Sequence, residues 1–90
     1  MDNQDIKLLL STTLHLKKTY VTGDSNFIKI IAIGNIFKGI TQVKRQQIVY
    51  TPLISMIKEK HIHAVSIMAY TPAEWENNDK KGNSSDYQLK

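Results

Sequence analysis

The sequence predicts an α+β domain of two layers, in the order helix, strand, strand, helix, helix, strand. Three observations predict it. Ile6, Leu9, Leu10 and Leu14 recur at helical spacing near the start. Two β-rich runs, Lys18–Thr22 and Phe27–Ile33, flank a cluster of turn residues. A second helical pattern begins at Thr41, is interrupted by Pro52, and gives way to another β-rich run, Ile62–Tyr70. Three strands cannot bury two faces, so the helices must cover one face and leave the other more open.

Each element has a local cause. Asp2 can cap the first helix, and Asp5 suits the positive end of its dipole; the helix should stop near Leu16. Gly23-Asp24-Ser25-Asn26 then reads as a four-residue loop closing an antiparallel hairpin. The second strand is apolar on both faces except at Lys29, which places it in the centre of the sheet. Gly34–Gly39 is a connector anchored by Phe37. In the next helical stretch, Val43, Tyr50, Leu53, Ile54 and Ile57 are expected to share the buried face. Pro52 should break it at Thr51 or kink it into a pair of segments over about 41–60. After the third strand, Thr71 and Glu74 form a capping-box pattern with Pro72 at the first helical position, opening a short turn that carries Trp75. The ordered domain is expected to span 1–77, with 78–90, rich in Asn, Asp, Lys, Ser and Gly, as a flexible tail.

Composition narrows the chemistry. Ninety residues, 41% of them hydrophobic, support one small core. Cysteine is absent, which excludes disulfides, thiolate zinc sites, a cysteine nucleophile and a self-supplied iron–sulfur cage. No apolar run approaches the roughly 20 residues of a membrane span. The start, Met1–Asp5, is too acidic and polar for a signal peptide. The chain therefore reads as a cytoplasmic protein without membrane attachment. No nucleophile elbow, P-loop or dinucleotide fingerprint is present, so it reads as a non-enzyme.

Two residue groups remain as candidates. Residues 38–60 carry Lys38, Lys44, Arg45, Lys58 and Lys60 against Glu59, a surplus of +4 that equals the net charge of the whole chain. Such a patch suits a phosphate backbone or an acidic protein, or is a solvated helix face. His61 and His63 are two apart at the start of the third strand, where they would share a face and could ligate one metal or cluster, or simply sit at the surface. His15 fits the C-terminal end of the first helix.

Four segments, taken in order, carry a resemblance. They are Gly34-Asn35-Ile36-Phe37-Lys38-Gly39, Lys44-Arg45-Gln46-Gln47-Ile48-Val49-Tyr50, His63-Ala64-Val65-Ser66-Ile67 and Ala69-Tyr70-Thr71-Pro72-Ala73-Glu74-Trp75. Together they resemble the BolA-like family, and most closely its bacterial IbaG (YrbA) acid-stress branch, over roughly residues 3–76. The resemblance implies a type II KH-like fold with a three-stranded mixed sheet. It implies a non-catalytic partner of a monothiol glutaredoxin, the two proteins bridged by a [2Fe–2S] cluster. In such pairs the glutaredoxin cysteine and glutathione supply sulfur, and a histidine, by position His63, supplies nitrogen; the isolated chain binds no cluster. The family's second ligand position, a histidine or cysteine just before an aromatic residue in the first hairpin, is Asn26 here, ahead of Phe27. An amide is a poor iron ligand. The complex would then rely on His63 alone, borrow His61 as an auxiliary ligand, or form without a shared cluster, and any cluster should be more labile.

The family's association with transcription regulation implies a second reading, a nucleic-acid-binding regulator contacting DNA through Lys38, Lys44 and Arg45. Against it, Gly34 and Gly39 are too far apart for the G-x-x-G clamp of RNA-binding KH domains. Alone, the chain should be a monomer or weak homodimer.

Overall fold

The computed structural model describes residues 3–81, with side chains over 3–77. The order is α1 (Asn3–Leu14), β1 (Lys18–Asp24), β2 (Phe27–Ile33), a 3₁₀ turn (Asn35–Phe37), α2 (Gln42–Tyr50), a second 3₁₀ turn (Thr51–Leu53), α3 (Ile54–Glu59), β3 (Val65–Tyr70) and α4 (Pro72–Lys81). The three strands lie in the order β1-β2-β3. β2 is antiparallel to β1 and parallel to β3, so the sheet is mixed and its most apolar strand is central, as the sequence predicts.

Alternation decides what each face meets. Ile28, Ile30 and Ala32 of β2 point to the same side as Val21 and Thr19 of β1 and Val65, Ile67 and Ala69 of β3. Ile6, Leu10 and Leu14 of α1, Val49 of α2 and Leu53 cover this face. Phe37 is wholly buried in the same cluster, the anchor role expected of it. Burying a ring of that size fixes the connector firmly; truncating a core Phe to Ala typically costs about 3–5 kcal/mol. Thr19, also buried, is satisfied by the Ser11 hydroxyl at 2.9 Å. On the opposite face, Trp75 of α4 lies against Tyr20 and Tyr70, with ring centroids 5.9 and 5.4 Å away. Ile33, beneath them, is buried there. α4 thus covers one end of the face that α1 and α2 leave open.

Four local expectations are corrected. The hairpin loop is two residues, Ser25 and Asn26, because Gly23 and Asp24 pair with Ile28 and Phe27. Gly23 sits at φ +99°, and a Cβ there would fall 2.1 Å from the Phe27 carbonyl oxygen, so only glycine lets β1 run this far. On the α2–α3 segment the buried stripe is Arg45, Val49 and Leu53, while Val43, Tyr50 and Ile54 are 67%, 42% and 41% exposed. Two stripes overlap in this sequence, and the one that meets the sheet runs through the arginine. The third strand begins at Val65, not Ile62, because residues 61–62 close α3. Finally, α4 continues through residues 78–81, into the stretch read as tail; 82–90 and the capping role of Asp2 lie outside the described residues. Pro52 acts as expected: a 3₁₀ turn joins α2 to α3 around it.

Candidate functional site

The surroundings of His63 are set by how α3 stops. His61 adopts φ +52°, its N–H donates to the Lys58 carbonyl at 3.3 Å, and the Ile62 N–H donates to the Ile57 carbonyl at 3.1 Å. This is a left-handed helix cap, followed by a residue that packs inward: Ile62 is 9% exposed. The His63 N–H then donates to the Ser25 carbonyl at 2.8 Å, and the Ile28 N–H donates to the Ala64 carbonyl at 2.9 Å. So the chain entering β3 is tied by its backbone to the β1–β2 turn. In that turn, the Asp24 carboxylate accepts from the N–H of Asn26 at 3.0 Å and of Phe27 at 3.4 Å.

His63, Asn26 and Phe27 are all exposed. The two positions that the resemblance singles out, 26 and 63, are therefore brought to one surface, although they lie 37 positions apart in the sequence. His61 is exposed as well, but it stands in the helix cap rather than on a strand, so the expected same-face strand pair of His61 and His63 does not form. His15, at φ +54°, follows α1 in the same left-handed way.

Among the described residues there is no group of three or more His, Cys, Asp or Glu side chains that could hold a metal. Within these residues His61 and His63 are single exposed side chains rather than members of a closed coordination set.

The basic candidates separate. Lys38 and Lys44 are exposed. Arg45 is not: its side chain is 6% exposed. Its Nε donates to the Ile40 carbonyl at 2.8 Å, and Nη1 to the Ala69 carbonyl at 3.2 Å. Nη1 and Nη2 also donate to Glu74 Oε1 and Oε2 at 2.6 and 3.2 Å. The expectation that Arg45 contacts nucleic acid or a partner is overturned, since its guanidinium is committed inside the fold. Glu74 completes the predicted capping box, accepting from the Thr71 N–H at 3.0 Å while the Thr71 hydroxyl accepts from the Glu74 N–H at 3.2 Å. The Arg45 hydrogen bond, then the Thr71 N–H, hold the Glu74 carboxyl below its usual range. Sequence reading missed this clasp. The available signal was the chain's one arginine at 45, four positions before Val49 and eight before Leu53 on one helical stripe.

A family model described as BolA-like protein matches residues 5–74. The chain belongs to the BolA-like family. Among BolA-like relatives, an uncharacterized protein of Buchnera aphidicola subsp. Acyrthosiphon pisum is 72% identical over 80 residues, 89% of this chain and all of that one. The acid stress protein IbaG of Escherichia coli strain K12 is 46% identical over 80 residues, 89% of this chain and 95% of that protein. Of solved BolA structures, a homologue from Coxiella burnetii superposes with a TM-score of 0.71 at 31% identity, over 84% of this chain and 97% of that one. BolA1 from Arabidopsis thaliana gives 0.72 at 23% identity, over 80% of this chain and 93% of that one, a likeness of fold. The BolA-like resemblance and its mixed three-stranded sheet both hold. No helix among the described residues is long and apolar enough to cross a membrane.

Proposed function

We propose that this BolA-like chain is a non-catalytic, cytoplasmic adaptor that binds a monothiol glutaredoxin and takes part in sharing or trafficking a [2Fe–2S] cluster, within the acid-stress response for which its E. coli relative is named. His63 is the nitrogen donor. The observation that supports this is the exposure of His63 together with the tether of its backbone to the β1–β2 turn. An imidazole on a loose loop would lose more entropy when it bound; one beside a hydrogen-bonded hairpin is already placed.

The chain's part is positional. It has no cysteine, and no group of metal-ligating side chains among its described residues; in this reading the sulfur ligands are those the family resemblance implies, the glutaredoxin cysteine and glutathione. When bound, such a cluster supplies one-electron chemistry at a potential that nitrogen ligation raises relative to all-sulfur ligation. Asn26 stands at the turn where a second donor would be, and its amide leaves His63 as the principal contribution.

The test is reconstitution with a monothiol glutaredoxin, glutathione, iron and sulfide, followed by visible circular dichroism. The wild-type chain gives a spectrum distinct from that of the glutaredoxin alone, His63→Ala abolishes that difference and His61→Ala keeps most of it. An unchanged spectrum with His63→Ala removes the ligand assignment.

A further inference from the structure

Between α2 and the outer edge of β3 runs a groove of about 610 Å³, lined by Phe27, Val43, Gln46, Tyr50, Val65 and Ile67 among others. Val43 and Tyr50 of α2, whose burial the sequence pattern suggests, are exposed there at 67% and 42%, and Phe27 of β2 at 49%.

The backbone of β3 makes this groove more than an apolar patch. In the β2–β3 ladder, the Ile28 N–H donates to the Ala64 carbonyl and the Gly34 N–H to the Tyr70 carbonyl. That phase turns the N–H and C=O groups of even-numbered residues 64 to 70 toward β2, and those of Val65, Ile67 and Ala69 outward. α2 covers the far part of this edge: Arg45 donates to the Ala69 carbonyl at 3.2 Å and Gln46 to the Ile67 carbonyl at 3.4 Å. The near part, with the Val65 and Ile67 N–H groups and the Val65 carbonyl, opens into the groove.

We propose that this edge accepts an extended, uncharged segment of the partner protein as an added strand, its alternate apolar side chains seated on Val43 and Tyr50. An outward row of main-chain donors and acceptors is complementary to another strand. The residues lining the groove include no charged side chain, so it has nothing with which to neutralise a phosphate backbone. It is also continuous with the candidate site: Phe27 follows Asn26, and Val65 lies two residues after His63. A partner whose iron meets His63 is thereby positioned to lay a segment along β3. The inference rests on the glutaredoxin reading for its partner, while the added strand is independent of the cluster.

The experiment uses the whole chain, ¹⁵N-labelled, titrated with cluster-free monothiol glutaredoxin, with amide hydrogen exchange as the readout. In the free chain the Val65 and Ile67 amides exchange fast and those of Ser66 and Met68 slowly; in the complex Val65 and Ile67 slow by about tenfold or more. Val65→Pro removes an outward N–H at the first residue of a strand, where proline is tolerated, and weakens binding about tenfold. Val43→Ser and Tyr50→Ser, both at exposed positions on α2, weaken it in the same direction and serve if the proline variant fails to fold. Equal binding by wild type and all three groove variants overturns the added strand and leaves the cluster proposal standing. No glutaredoxin binding by any form, with or without cluster, overturns both. Protection of Val65 and Ile67 that follows the chain's own concentration without glutaredoxin assigns the edge to a second copy and overturns the partner assignment.

Discussion

The two ends of β3 are built on opposite principles. At the C-terminal end side chains clasp the strand. Arg45 joins α2, the Ala69 carbonyl and Glu74, while Trp75 lies between Tyr20 and Tyr70. At the N-terminal end the backbone is fixed, through the His63 N–H and the Ala64 carbonyl, but the side chains of His61, His63 and Ala64 face solvent. One strand is thus locked at one end and presents at the other. The lock holds the register that brings position 63 beside the β1–β2 turn, and the free end leaves the imidazole available. Substitutions at the locked end should be read in stability, those at the free end in binding.

The largest effect should come from Arg45→Ala. It removes the arginine donor from the carbonyls of Ile40 and Ala69 and the cationic partner from Glu74, and should cost roughly 2–4 kcal/mol in urea unfolding. A loss below about 0.5 kcal/mol would mean the clasp is ornamental. Glu74→Gln should cost less, about 1 kcal/mol, because Glu74 is 46% exposed and solvent screens its half of the pair. The same residue gives the locked end an acid dependence. The folded-state pKa of Glu74 lies below its ordinary value of 4.5, so its contribution is complete above that value and is lost as pH falls through the lowered one. Acid titration followed by Trp75 fluorescence should show this step in wild type and lose it in Glu74→Gln. A step that persists in the variant assigns it to another carboxyl.

At the free end, His63→Ala should change stability by less than about 0.5 kcal/mol, as expected of an exposed side chain, while removing the mixed-complex spectrum. A large stability loss would place His63 in the lock after all. The smallest effect concerns Asn26. Asn26→His adds a donor beside the first and should slow cluster transfer to an acceptor protein severalfold; an unchanged or faster rate counts against the idea that the amide makes the cluster labile.

Much of the fold was legible because the sequence repeats the same message at several levels. The β-branched run of β2, the Pro52 break and the Thr71–Glu74 box are local signals that tertiary packing did not override. What was illegible is also local in form but long-range in cause. Val43, Tyr50 and Ile54 fit a helical stripe as well as Val49 and Leu53 do, and only the sheet chooses between them. Arg45 reads as surface charge until Glu74, 29 residues on, arrives beside it. The helix cap at His61 resembles the start of a strand because Ile62 is apolar, yet its left-handed backbone is set by the end of α3. Of the candidate site, His63 was legible through the family resemblance. Its proximity to the turn of Asn26 required the backbone bond to Ser25.

The most direct measurement is pulsed electron paramagnetic resonance on the reduced mixed complex, with ¹⁵N-histidine incorporated only into this chain. A strongly coupled ¹⁵N signal that is present in wild type and His61→Ala and absent in His63→Ala is the predicted result. A cluster signal with no nitrogen coupling from this chain, or one that survives His63→Ala, would contradict it.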